Sequence, residues 1–128
     1  MLKAPSQVST RAAAIGLLLL LGSTGEGSAH ARLVSASPAQ DQMAMPPPTE
    51  LRLKFSEAIE PKFTKVKLTG PDGKVIKTGP VRVDAADKTT IIVPFTAPFP
   101  DGKYTVEWQA VSADTHKVKG TYSFESMK

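Results

Sequence analysis

The chain contains no cysteine. Disulfide frameworks, zinc–thiolate sites and thiol nucleophiles are therefore excluded, and stability must come from a hydrophobic core, helped by a metal if one binds. Aromatic residues make up only 6% of the sequence, with a single tryptophan. Lys54, Lys62, Lys65, Lys67, Lys74, Lys77 and Lys88 are scattered along the chain rather than clustered. A nucleic-acid surface needs grouped cations interleaved with stacking platforms, so that class of partner gets no support. Long apolar runs are also missing. The one conspicuous run, Ala12 to Leu21, spans ten residues, well short of the roughly 20 that a membrane-spanning helix needs.

What is present at the start is a pattern for export. Lys3 and Arg11 precede the apolar run, and small residues follow it as far as Ala29, which is the arrangement of a secretory signal peptide. Residues 1–29 are expected to be removed, leaving residues 30–128 as one soluble domain. Loss of Lys3, Arg11 and Glu26 lowers the formal net charge from +4 to +3. Ala29-His30-Ala31 is itself an Ala-x-Ala sequence, so cleavage rules also permit a cut after Ala31, which would leave Arg32 first.

Beyond the leader the dominant period is two. Leu51, Leu53 and Phe55 alternate with Arg52, Lys54 and Ser56, and Val66 and Leu68 alternate with Lys65, Lys67 and Thr69. Each run predicts a half-buried strand. Gly70-Pro71-Asp72-Gly73 supplies a turn after the second, consistent with a hairpin. Further strands are predicted at Leu33 to Ser37, around Val81 and Val83, and from Thr89 to Val93. Tyr104, Val106 and Trp108, after the turn at Asp101-Gly102, face a last strand carrying Val118, Tyr122 and Phe124. Pro38 to Thr49, with its proline triplet, is expected to be an irregular connection without helix. About seven short strands with no 3.6-residue periodicity predict an all-β, antiparallel Greek-key sandwich or barrel of immunoglobulin-like architecture.

The chain has two histidines, His30 at the cleavage point and His116 between the last two predicted strands. As the first residue, His30 offers an α-amine and a ring nitrogen to one metal ion. Asp114 and His116 are spaced i, i+2, which in extended backbone puts both side chains on one side. Three nitrogens and a carboxylate oxygen in a tetragonal arrangement suit copper(II), which heads the affinity order for such ligands. Taken singly, each piece is ordinary, since signal peptides often end near a polar residue and Asp-x-His occurs in many surface loops. Their joint occurrence makes the case.

Val111-Ser112-Ala113-Asp114-Thr115-His116, followed by Val118, Gly120, Tyr122 and Phe124, resembles the closing segment of the periplasmic copper-binding proteins of the CopC type. Thr115 stands where that family usually has glycine. His30 with Leu33 and Ser37-Pro38-Ala39, Leu53-Lys54-Phe55-Ser56-Glu57, and Gly102 through Trp108 extend the likeness over the whole mature chain. The resemblance implies a periplasmic protein that binds copper(II) through His30, Asp114 and His116, with Glu57 hydrogen-bonding an amine, an imidazole or a metal-bound water. Sequestration or carriage of copper for resistance and homeostasis follows, by a monomer that is not an enzyme, with a separately encoded membrane transporter as a potential recipient.

Some members of that family carry a second, copper(I) site on a methionine-rich loop with a histidine. Here Met43 and Met45 are the only closely spaced methionines after the leader, and neither histidine is left to join them, so one copper(II) site is expected. Two other readings compete. A terminal histidine chelating through amine and ring also anchors the metal of the lytic polysaccharide monooxygenases, though those are larger and otherwise dissimilar. A metal-free immunoglobulin-like adhesion or assembly module is the other.

Overall fold

Strands that hide one face and wet the other must stack in pairs of sheets, and this chain does so. The computed structural model describes residues 31–96 and 99–128; the leader and His30 lie outside them. The strands are β1 (Leu33–Ser37), β2 (Met43–Ala44), β3 (Glu50–Phe55), β4 (Lys65–Thr69), β5 (Val75–Ile76), β6 (Arg82–Asp84), β7 (Asp87–Pro94), β8 (Gly102–Val111) and β9 (Lys117–Ser126). One sheet has the order β1-β3-β7-β6 and the other β2-β9-β8-β4-β5. The chain crosses to the second sheet for β2, returns for β3, crosses for β4 and β5, returns for β6 and β7, and crosses again for β8 and β9, in Greek-key fashion. No helix of the described residues is long and apolar enough to cross a membrane.

The seven strands expected from alternation are all present, and two short ones join them. β5 closes a hairpin on β4 across Gly70 to Gly73, pairing Leu68 with Ile76 and Thr69 with Val75. β2 corrects the reading of Pro38 to Thr49 as irregular throughout. It lies parallel to β9, with Met43 opposite Glu125 and Ala44 opposite Ser126, whereas the other named strand pairs are antiparallel. Two residues have no local preference strong enough to announce a strand. The free edge of β9, which needs partners for its backbone groups, recruits them.

The core follows the pattern. Leu51, Leu53 and Phe55 of β3 are buried against Tyr104, Val106, Trp108 and Ala110 of β8. Phe55 meets Trp108 edge to face at 5.1 Å, joining the two sheets, and Phe99, Tyr104 and Phe124 stack at 4.7 and 5.5 Å. Such ring contacts add to the burial of area. Trp108 sits directly opposite Gly120 in the β8–β9 ladder. A Cβ on Gly120 would lie 2.5 Å from Cζ2 of the indole, so only glycine leaves room for the ring to lie across β9.

The β8–β9 ladder runs unbroken from Gly102 opposite Ser126 to Val111 opposite Lys117. Its far end is closed by a tight loop: Ser112 N–H donates to His116 O at 3.0 Å, and Thr115 N–H donates to Ser112 O at 2.8 Å. Ala113, Asp114 and Thr115 form the loop, and Thr115 has φ 71°. A three-residue hairpin loop ends in a left-handed residue that favours glycine, and a β-branched residue there is strained.

Polar groups organise the opposite surface. On the outer face of the four-stranded sheet, Arg52 pairs with Glu50 at 2.6 Å and Asp84 at 2.9 Å, and Lys54 pairs with Asp87 at 2.8 Å. Asp87 also accepts hydrogen bonds from Thr89 N–H and from the hydroxyls of Thr89 and Thr90. Lys54 first, then these donors, hold the Asp87 carboxyl far below the usual carboxylate range.

Three outcomes are expected. Gly120→Ala should destabilise the fold by about 1–3 kcal/mol in urea unfolding, the usual result of overpacking. Thr115→Gly should stabilise it by about 1 kcal/mol through relief of backbone strain. The folded Asp87 carboxyl binds a proton less readily than the unfolded one, so its contribution is fully present above the ordinary aspartate value of about 3.9 and is lost as pH falls through the lowered folded value. Asp87→Asn should therefore be less stable than the parent at neutral pH, and the gap should close on acidification through that range.

Candidate metal centre

Two strands deliver the site loop, and a third segment holds it from beneath. Ile59 bridges to Ser112, Ala113 N–H donates to Ala58 O at 2.9 Å, and Glu60 N–H donates to Val111 O at 2.8 Å. The 58–60 segment thus anchors the loop backbone on the side that leads into Asp114, at residues 111–113. Above that anchor, His116 Nδ1 lies 3.1 Å from Asp114 Oδ2. Their side chains are 46% and 44% exposed, so a solute ion can reach both.

Electrostatics favour a cation. The Ser112 hydroxyl donates to Asp114 Oδ1, and His116 adds contacts through its ring and its backbone N–H. Ser112 first, and His116 after it, hold the Asp114 carboxyl below the usual carboxylate range despite some desolvation. An ionised oxygen and an imidazole nitrogen side by side have the mixed N/O chemistry that a metal ion could use.

Ser112 is the residue that sequence reasoning missed as a functional group. It is completely buried, and its role is visible only as a Ser-x-Asp spacing of the kind that makes local side-chain hydrogen bonds.

The other expected residues fall as follows. Arg32 N–H donates to Ser56 Oγ at 3.0 Å, and Ser56 N–H donates to Arg32 O at 2.9 Å. The chain therefore reaches Ala31, which is buried, beside the same 56–60 segment that carries the loop. His30 is outside the described residues. Glu57 is half-buried in that segment. Among the described residues no three His, Cys, Asp or Glu side chains converge, so the structure brings Asp114 and His116 together and does not add Glu57 to them. The tyrosine hydroxyls are used elsewhere: Tyr122 donates to Pro38 O at 3.0 Å, and Tyr104 donates to Pro100 O. Met43 and Met45 are exposed and flank the opposite end of β9 from the loop.

Comparison with known proteins identifies the family. Residues 33–126 match the family model described as the CopC domain. Protein YobA of Escherichia coli strain K12 is 41% identical over 96 residues, covering 75% of this chain and 77% of that one. Copper resistance protein C of Escherichia coli is 36% identical over 112 residues, 83% and 88% of the two chains. The crystal structure of PcoC, a methionine-rich copper resistance protein from Escherichia coli, superposes with a TM-score of 0.69 at 33% identity, covering 77% of this chain and 99% of that chain. With its sandwich, its closing hairpin and nearly all of its described residues matched, the chain belongs to the CopC family.

Proposed function

We propose that this chain is a periplasmic copper(II)-binding protein that sequesters or carries copper for resistance and homeostasis. The observation that carries the reading is the 3.1 Å approach of Asp114 Oδ2 and His116 Nδ1 on a loop anchored by Ala58, in a family whose relatives include copper resistance proteins. Cleavage after Ala29 makes His30 the first residue and adds an α-amine and a ring nitrogen to that pair. Processing thereby creates the site, because an internal histidine has only an amide nitrogen to offer in place of the amine. Glu57 acts around the metal, hydrogen-bonding an amine, an imidazole or a bound water. Its strand-end position, one residue from Ala58, is compatible with that role. The bound ion is cargo, and a separately encoded membrane transporter is its proposed recipient.

Titration of copper(II) into protein beginning at His30 should show one tight site. Asp114→Ala and His116→Ala should each lose more affinity than the roughly 10–100-fold typical of changes to groups that only orient a ligand, while Ser112→Ala and Glu57→Gln should fall within that range. Protein beginning at Arg32 should bind weakly. Because nitrogen ligands bind metal only when deprotonated, affinity should drop between about pH 7 and about pH 5. Unchanged stoichiometry and affinity in both ligand variants would refute the site.

A further inference from the structure

Cations that are dispersed in the sequence become neighbours on one sheet. In the second sheet Lys65 stands opposite Gln109, which stands opposite Lys119; Lys67 stands opposite Glu107, which stands opposite Thr121. Lys117, opposite Val111, extends the same face toward the metal-centre loop. All four lysines are exposed, and they line the side of the strands away from the buried Leu68, Val106 and Ala110. A groove of about 740 Å³ runs over this face, bordered by Lys65, Lys67, Glu107, Gln109, Lys119 and Thr121.

On the four-stranded sheet Arg52 and Lys54 are neutralised by Glu50, Asp84 and Asp87, while the exposed Arg82 has no carboxylate partner among the described residues. On the five-stranded sheet the Glu107 carboxylate reaches Lys67 at 3.3 Å. Among the described residues Lys65, Lys117 and Lys119 have no carboxylate partner. An uncompensated basic face raises the potential over the groove and steers anionic surfaces to it.

An exposed aromatic lies two residues before Lys65, which borders the groove. Phe63 is 56% exposed and lies outside the core. It ends the 3-10 turn Pro61–Phe63. That turn is rigidly tied to the end of β8: Val111 N–H donates to Thr64 Oγ1 at 3.1 Å, and Thr64 Oγ1 donates to Glu60 O at 2.8 Å. Lys65 follows Phe63 by two residues, and Lys62 Nζ lies 5.9 Å from the Phe63 ring centroid. A pre-ordered exposed aromatic beside unpaired cations has the composition of an interface hot spot, and little ordering entropy remains to be lost on binding.

We propose that the outer face of β4, β8 and β9, together with Phe63 of the turn that leads into β4, docks an acidic partner protein that brings carboxylates to Lys65, Lys117 and Lys119 and an apolar pocket to Phe63. The concave groove between the lysines takes a protruding ridge, which a flat lipid surface does not present. Lys117 follows His116 directly, so the docked partner lies against the metal-centre loop and is the one that exchanges metal with it; that last step rests on the function proposed above.

The test uses the full chain and a synthetic peptide of alternating glutamate and leucine, with its lysine-for-glutamate counterpart and phosphatidylglycerol vesicles as comparisons. Amide chemical shifts should map the acidic peptide to Phe63, Lys65, Gln109, Lys117 and Lys119, with affinity falling as salt rises. Phe63→Ser, and the triple variant Lys65→Glu, Lys117→Glu, Lys119→Glu, should each weaken binding by about tenfold or more. Lys74→Glu, Lys77→Glu, Lys88→Glu, with the same change in net charge, should not. Equal affinity in both triple variants, equal binding of the lysine peptide, or vesicles engaging these residues in preference to the peptide would overturn the proposal. Peptide binding is measured without metal, and copper uptake of each variant separately, so a failed copper site and a failed docking surface give different results.

Discussion

The structure depends on the ten-residue antiparallel ladder between β8 and β9. It is the longest pairing among the described strands, and its register has two consequences. Trp108 falls opposite Gly120, which lets the indole lie across β9 and meet Phe55 from the other sheet. The same register ends at Val111 and Lys117, leaving a closed loop too short to wander, with Asp114 and His116 on it. A slip of one residue would turn the core face outward and move both loop side chains. Core packing and the candidate metal centre are therefore set by one set of backbone hydrogen bonds.

The loop combines strain with support. Thr115 occupies a left-handed conformation, while Ala58 and Ser112 fix the backbone of Ala113 and the carboxylate of Asp114 just before it. Strain of this kind persists where surrounding contacts over-determine the geometry. Here that geometry keeps a carboxylate ionised beside an imidazole at the molecular surface. The adjoining sheet face, with lysines left unneutralised, and the rigid turn bearing Phe63 give the same end of the molecule a recognisable chemistry.

Much of this was legible residue by residue. Alternation at Leu51, Leu53 and Phe55, and at Tyr104, Val106 and Trp108, named the inner faces because a two-residue period has one physical reading when one face is buried. Asp114 and His116 do approach each other, but through a tight turn with Thr115 left-handed between them and not through the extended backbone that the i, i+2 spacing suggested. β2 was not legible, since its two residues pair only because β9 offers a free edge. Ser112 looked like one more loop serine until its hydroxyl was seen against Asp114. Lys65 and Lys119, 54 positions apart in the sequence, become near neighbours only through Gln109 between them.

The sequence by itself determined seven of the nine described strands, the absence of thiol chemistry, the family and the identity of the candidate ligands, because these rest on residue type and short-range spacing. Tertiary structure decided which faces meet, where the Asp114–His116 pair is anchored and which charges stay unpaired. Those depend on contacts between residues distant along the chain, and local sequence carries no record of the strand order that brings them together.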